Sequence, residues 1–169
     1  MAAARTALEL DDAKRCFYLY DTFAGMPAPG EEDFALVGSG DPAELFEQTR
    51  DAEDASDWCR AGLDDVRRNL TRVGYDPDRF VFVEGKVEET LPGVLPGPIA
   101  LLRLDTDWYE STRHEMVHLM PLLVSGGVLI VDDYFRWAGN RRAVDEWLEQ
   151  HRVPILLTKV GRSAIGVRP

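Results

Sequence analysis

The chain has 169 residues, enough for one domain with a sizeable core, and its 45% apolar and 29% charged content is that of an ordinary globular protein. Lysine and arginine number 19 against 30 acids, and the resulting charge of -11 repels phosphate, which argues against nucleic acid or anionic membrane as partner. Neither a signal-peptide core nor a stretch of about 20 apolar residues is present, and Cys16 and Cys59 form no CxxC pattern, so a cytoplasmic location is expected.

In chain order, residues 1–14 read as a helix, and Cys16 to Tyr20 (CFYLY) as a strand ending at Asp21. Cys16, within that apolar run, is expected to be a buried small hydrophobe. Residues 24–57 are rich in Gly, Pro, Asp and Glu and look helical only over Ala43 to Arg50; such a stretch fits an active-site lid and fits disorder equally. A helical pattern follows from Trp58 to Val73, then a strand from Phe80 to Val83 ending at Glu84-Gly85. Ile99 to Leu104 is a strand ending at Asp105, and Thr112 to Val124 a helix stopping before Gly126-Gly127. Gly127 to Val131 is a strand ending at Asp132-Asp133, and Arg142 to His151 is a helix. Pro154 to Thr158 and Ala164 to Val167 are close enough for an antiparallel hairpin. The early strands are almost wholly apolar and alternate with helices, which predicts a single α/β domain over residues 1–169 with a parallel sheet covered on both faces.

Ligands of open α/β sheets bind beyond the carboxyl ends of the strands, and each early strand ends there in an acid: Asp21, Glu84, Asp105 and Asp132-Asp133. If the Ile99 and Gly127 strands are neighbours, about 4.8 Å apart, their carboxylates share one small volume. Like charges that close repel or take up protons, and a cation relieves them. An all-oxygen set suits Mg²⁺ or Mn²⁺ better than zinc. The competing structural role is helix capping, which Asp107, ahead of Ser111-Thr112, is placed to perform. His114 and His118 are four apart on one helix, but without a third ligand they read as packed or solvated. Arg141 and Arg142 read as partners for surface acids.

Three segments, YDTFAGMP (Tyr20 to Pro27), LRLDTDWYEST (Leu102 to Thr112) and GGVLIVDDYFRWAGNRRAVDEW (Gly126 to Trp147), resemble the macrocin O-methyltransferase family. The resemblance implies a class I S-adenosylmethionine-dependent methyltransferase, a Rossmann-like sheet with a C-terminal antiparallel hairpin. It implies Mg²⁺- and S-adenosylmethionine-dependent methylation of a sugar hydroxyl on a glycosylated small molecule of macrolide or aminocoumarin type, in antibiotic biosynthesis. Asp105, Asp132 and Asp133 match the family's metal ligands and Asp107 its general base. Asp21 matches the acid that binds the cofactor ribose, and Glu84, Gly85 and Lys86 fall where the adenine is held. Tyr109, Tyr134 and Trp137 flank the acids and are candidates to line the acceptor pocket by stacking on sugar, with packing the equal alternative.

Three departures qualify this. The family carries a further strand and glycine-rich turn ahead of the position of Cys16, where this chain has a short helical segment. That implies an N-terminally shortened member lacking the first strand, with the Cys16 and Ile99 strands open on one edge, weak cofactor binding and a tendency to form homo-oligomers. Phe135-Arg136 stand where the family often has Gly-His, and Lys86-Val87 replace its aromatic residues near the adenine. Two other readings remain: an inactive methyltransferase remnant, and a Mg²⁺-dependent phosphatase of the haloacid dehalogenase type. The latter would carry its Asp-x-Asp on the first strand and a lysine between its motifs; no lysine lies between Asp107 and Asp132.

Overall fold

The computed structural model describes residues 1–38, 40–52 and 55–169; residues 39, 53 and 54 of the expected lid lie outside the described residues. Helix α1 (Ala2–Glu9) leads into strand β1 (Phe17–Asp21), which pairs in parallel with β4 (Phe80–Glu84). Between them lie α2 (Pro42–Thr49), the short antiparallel pair β2 (Arg50–Ala52) and β3 (Ala55–Ser56), and α3 (Leu63–Thr71). After β4 come α4 (Val87–Thr90), β5 (Ile99–Leu104), α5 (Tyr109–His118), β6 (Leu123–Val131), α6 (Ala138–His151) and the pair β7 (Thr158–Val160) and β8 (Ser163–Val167). The larger sheet has the order β5-β6-β8-β7, with β5 and β6 parallel and β8 antiparallel to both its neighbours.

The core explains the strand composition. Leu102 and Leu104 of β5 and Leu129 and Val131 of β6 bury one face against Met116 of α5 and Val144 and Trp147 of α6. Each such side chain contributes about 1.5–3 kcal/mol by leaving water. Helix α6 buries Gly139, Asn140, Ala143, Val144 and Trp147, a spacing of three and four that lays one stripe on the sheet. The smaller sheet is held by aromatic rings instead. Phe17 stacks with Phe80 at 5.5 Å and meets Tyr75 edge-on at 5.2 Å, and the Tyr75 hydroxyl donates to the carbonyls of Asp12 and Arg15.

Among the described residues β1 pairs with β4 alone and β5 with β6 alone, so each has one open edge. The expected burial of both sheet faces fails at β5, where Leu101 is 49% exposed. The sheets still touch, since the Tyr20 hydroxyl of β1 donates to the Val94 carbonyl at 2.9 Å and its ring packs on the larger core.

Several element boundaries move. Helix α3 starts at Leu63, not Trp58, because Cys59 takes a left-handed turn (φ 57) and Trp58 packs against other tryptophans. Helix α5 ends at His118, and Pro121 sits in a 3-10 turn before β6 begins at Leu123. Residues 154–157 are not a strand; Ile155 and Leu157 pack on the core, and the ladder starts at Thr158. Cys16, expected inside, is exposed, with its Sγ 3.8 Å from Arg79 Nη1. No helix among the described residues is long and apolar enough to cross a membrane.

Candidate active site

The parallel register of β5 on β6 pairs Leu104 with Val131, so the next residues, Asp105 and Asp132, leave the sheet side by side. The Asp132 N–H donates to the Leu104 carbonyl at 2.9 Å, carrying the pairing one residue past the strands. Arg103 then spans the two carboxylates: one guanidinium nitrogen donates to Asp105 Oδ2 at 2.6 Å and another to Asp132 Oδ2. Asp132 Oδ1 also accepts the Ser163 hydroxyl from β8 and the Asp133 N–H. Its backbone carbonyl accepts Asn140 Nδ2 of α6 at 2.6 Å. Asp133 pairs with Arg136 at 3.3 Å.

Asp107 and Asp133 have left-handed backbones, φ 64 and 45, a conformation non-glycine residues adopt at a cost and one that gathers at functional sites. Asp107 does not cap α5: Trp108 is the N-cap residue and offers no side-chain bond. Instead, Asp107 Oδ1 is buried with no hydrogen-bond partner. Burial above all, then the charges of Asp133, Asp105 and Asp132, push its carboxyl up to about 8. Asp105 is pushed up to about 6, first by burial and then by its hydrogen bond with Asp132, against the pull of Arg103.

The sequence reading missed three groups here. Arg103 was hidden in an apolar strand. Glu115 lies fully buried on α5, accepts the Thr106 hydroxyl at 2.9 Å, and is pushed up to about 8 chiefly by burial. Its signal was its spacing from Ser111, four residues earlier on the same buried stripe. Asp33, in the long connection after β1, is buried and accepts the Tyr109 N–H at 2.8 Å.

The expected cofactor residues come together at the other sheet. Asp21 and Glu84 are register partners at the ends of β1 and β4, both exposed. Asp21 Oδ1 accepts the Phe23 N–H at 2.7 Å, and its carbonyl accepts the Gly85 N–H at 3.0 Å. Gly85 has φ 130, a conformation L side chains rarely adopt, and Lys86 is the N-cap residue of α4.

Of the two roles open to the aromatic residues beside the acids, Trp137 and Tyr134 take packing. Trp137 is 1% exposed and Tyr134 6%, so neither ring face is open to a sugar. Trp137 is locked edge-on against Trp108 and Trp58 at 5.4 and 6.1 Å, and the Tyr134 hydroxyl donates to Asp145. Tyr109 is more open; its hydroxyl donates to Glu146 at 2.7 Å and Arg142 lies over its ring. Arg141 and Arg142 do pair with acids, Asp145, Glu146 and Glu32. His114 Nε2 is spent on the Leu91 carbonyl at 3.1 Å.

The profile of the family described as Macrocin-O-methyltransferase (TylF) matches residues 2–168. The chain belongs to the macrocin O-methyltransferase family. It is 34% identical over 123 residues to the 8-demethyl-8-(2,3-dimethoxy-alpha-L-rhamnosyl)-tetracenomycin-C 4'-O-methyltransferase of Streptomyces olivaceus, which covers 73% of this chain and 43% of that protein. It is 29% identical over 163 residues to the mycinamicin III 3''-O-methyltransferase of Micromonospora griseorubida, 96% of this chain and 61% of that one. The solved structure of the O-methyltransferase NovP superposes with a TM-score of 0.79 at 27% identity, covering 97% of this chain and 64% of that chain. This family member thus spans roughly half the length of the curated relatives it matches. Its fold is the mixed α/β fold of the S-adenosylmethionine-dependent O-methyltransferases.

Proposed function

We propose that this family member is an S-adenosylmethionine- and Mg²⁺-dependent O-methyltransferase acting on a sugar hydroxyl of a glycosylated natural product. The observation that carries the reading is the carboxylate cluster beyond β5 and β6, above all the buried, unpartnered Oδ1 of Asp107. A buried carboxyl oxygen without a partner is costly in a merely structural site. It is what a base awaiting a substrate proton requires.

Asp105, Asp132 and Asp133 would hold the cation, and oxygen donors suit Mg²⁺. The residues fit in kind and number. As they now stand, however, no group of three or more His, Cys, Asp or Glu among the described residues is set to hold a metal. When bound, a divalent cation would stabilise the alkoxide forming from the sugar hydroxyl. Asp107 would take the hydroxyl proton, and S-adenosylmethionine, when bound, would supply the methyl group to the sugar oxygen, with its sulfonium sulfur as the leaving group. Asp21 and Glu84-Gly85-Lys86 would contact the cofactor's ribose and adenine, and Tyr109 is the aromatic residue open enough to meet the acceptor. The relatives named above support a glycosylated small molecule as acceptor.

The test is methyl transfer from labelled S-adenosylmethionine, at millimolar concentration, to a panel of glycosylated polyketides with and without EDTA. Transfer that needs Mg²⁺ and vanishes in Asp107→Asn is expected. Metal-independent transfer, or an active Asp107→Asn protein, would overturn the reading.

A further inference from the structure

Arg103 bridges two of the three carboxylates proposed to hold the cation. On β5 it lies two residues before Asp105, so both side chains leave the same face of the strand. Its guanidinium takes a carboxylate from each of two neighbouring strands, Asp105 Oδ2 and Asp132 Oδ2. This differs from the other arginines near the site: Arg136 and Arg141 bind acids three or four residues along the chain, as ordinary local ion pairs. Arginine stays charged at any physiological pH, and its planar fork satisfies two carboxylates at once. With that fork in place one positive charge already offsets half of the pair's negative charge, and Asp132 Oδ1 is engaged by Ser163 and the Asp133 N–H. The side chain is 49% exposed, so it can turn out into water without breaking the core.

We propose that Arg103 is a resident counter-cation, occupying the space between Asp105 and Asp132 in the metal-free protein and displaced when a divalent ion binds, so that it sets the metal affinity of the site. The inference rests on the reading of Asp105, Asp132 and Asp133 as metal ligands. It adds a residue outside that ligand set and a direction of effect. Metal binding is an exchange of one cation for another, in which the incoming ion must overcome two charge-assisted hydrogen bonds. Removing the guanidinium removes the competitor and leaves every proposed ligand intact.

The test is Mn²⁺ binding, followed by calorimetry and by loss of the free-ion electron paramagnetic signal, on the full chain and on Arg103→Met and Arg103→Lys. Arg103→Met should bind Mn²⁺ more tightly, by on the order of tenfold, the size expected when two half-exposed ion pairs no longer compete. Its melting temperature without metal should fall and recover when Mn²⁺ is added. Arg103→Lys, whose single ammonium cannot fork across both carboxylates, should lie between the two and decides the matter if the methionine variant does not fold. Unchanged or weakened Mn²⁺ binding in the folded variants, with a wild-type chain that binds, overturns the role of Arg103 and leaves the metal reading standing. No binding by any of the three overturns the metal reading, and the inference with it.

Discussion

The carboxylate of Asp33 caps a helix 76 residues away: its Oδ1 accepts the N–H of Tyr109, the first residue of α5, at 2.8 Å. Its Oδ2 accepts the Gly30 N–H, also at 2.8 Å. One buried side chain therefore fixes the start of α5, immediately after Asp107 and Trp108, and the connection expected to be a lid. The same connection is stitched to the start of α6, where Leu36 N–H donates to the Arg136 carbonyl and Ala138 N–H to that of Phe34.

Asp33→Ala should cost about 1–3 kcal/mol, because it removes a helix cap and breaks two partly buried hydrogen bonds, from the Gly30 and Tyr109 N–H groups. Thermal melting checks the magnitude, and limited proteolysis should find new cleavage between residues 28 and 38. Gly139→Ala should do comparable harm from the other side, since an added methyl would overlap Asp33 Oδ1 and crowd Tyr109 Cβ.

Asp107→Asn should reduce methyl transfer by about 10²–10⁴-fold, the usual contribution of a general base, while leaving Mn²⁺ binding in place. In the wild type, transfer should rise with pH as Asp107 gives up its proton. The midpoint should lie at or below about 8, because a bound cation favours the carboxylate that burial and its acidic neighbours disfavour. A rate that is flat from pH 6 to 9 would count against this assignment.

Glu115 makes a stability prediction with a definite sign. Its folded pKa, about 8, lies above the ordinary glutamate value of 4.5, so between the two the folded state holds a proton that the unfolded state has released. Stability is therefore undiminished below about pH 4.5, falls as pH rises through the interval to about 8, and stays low above it. Glu115→Gln, which keeps the Thr106 hydrogen bond and cannot ionise, should match the wild type near pH 4.5. It should be more stable at pH 8 by on the order of a few kcal/mol. Denaturant midpoints at the two pH values test this, and equal midpoints at pH 8 would refute it.

S-adenosylmethionine should bind this chain at millimolar rather than micromolar concentration. The proposed contacts, Asp21 and Glu84, are both exposed, and hydrogen bonds made in competition with water add little affinity. The strand that bears Asp21 also has an open edge beside it. Calorimetric titration with a micromolar dissociation constant would reject the prediction.

The ends of the strands were legible in the residues alone. A run such as IALLRL or GVLIV buries only as a strand, so the acids that follow it, Asp105 and Asp132-Asp133, had to emerge at the sheet's carboxyl edge. A closing hairpin was legible too, although its first strand runs from Thr158 to Val160 and not from Pro154 to Thr158, as was the pairing of Arg141 and Arg142 with surface acids. How the emerging carboxylates are spent depends on which elements meet. Arg103 reads as a flaw in an apolar strand until the register of β5 on β6 brings Asp132, 29 residues on, within its reach. Asp33 and Glu115 stand out from the other acids only once packing removes them from water. Trp137 reads as a stacking platform until Trp58 and Trp108 close over it. Periodicity encodes which face of an element is apolar. Charge compensation, burial of a carboxyl and closure of an aromatic cluster depend on which elements meet, and in this chain the meeting residues are 29 to 79 positions apart.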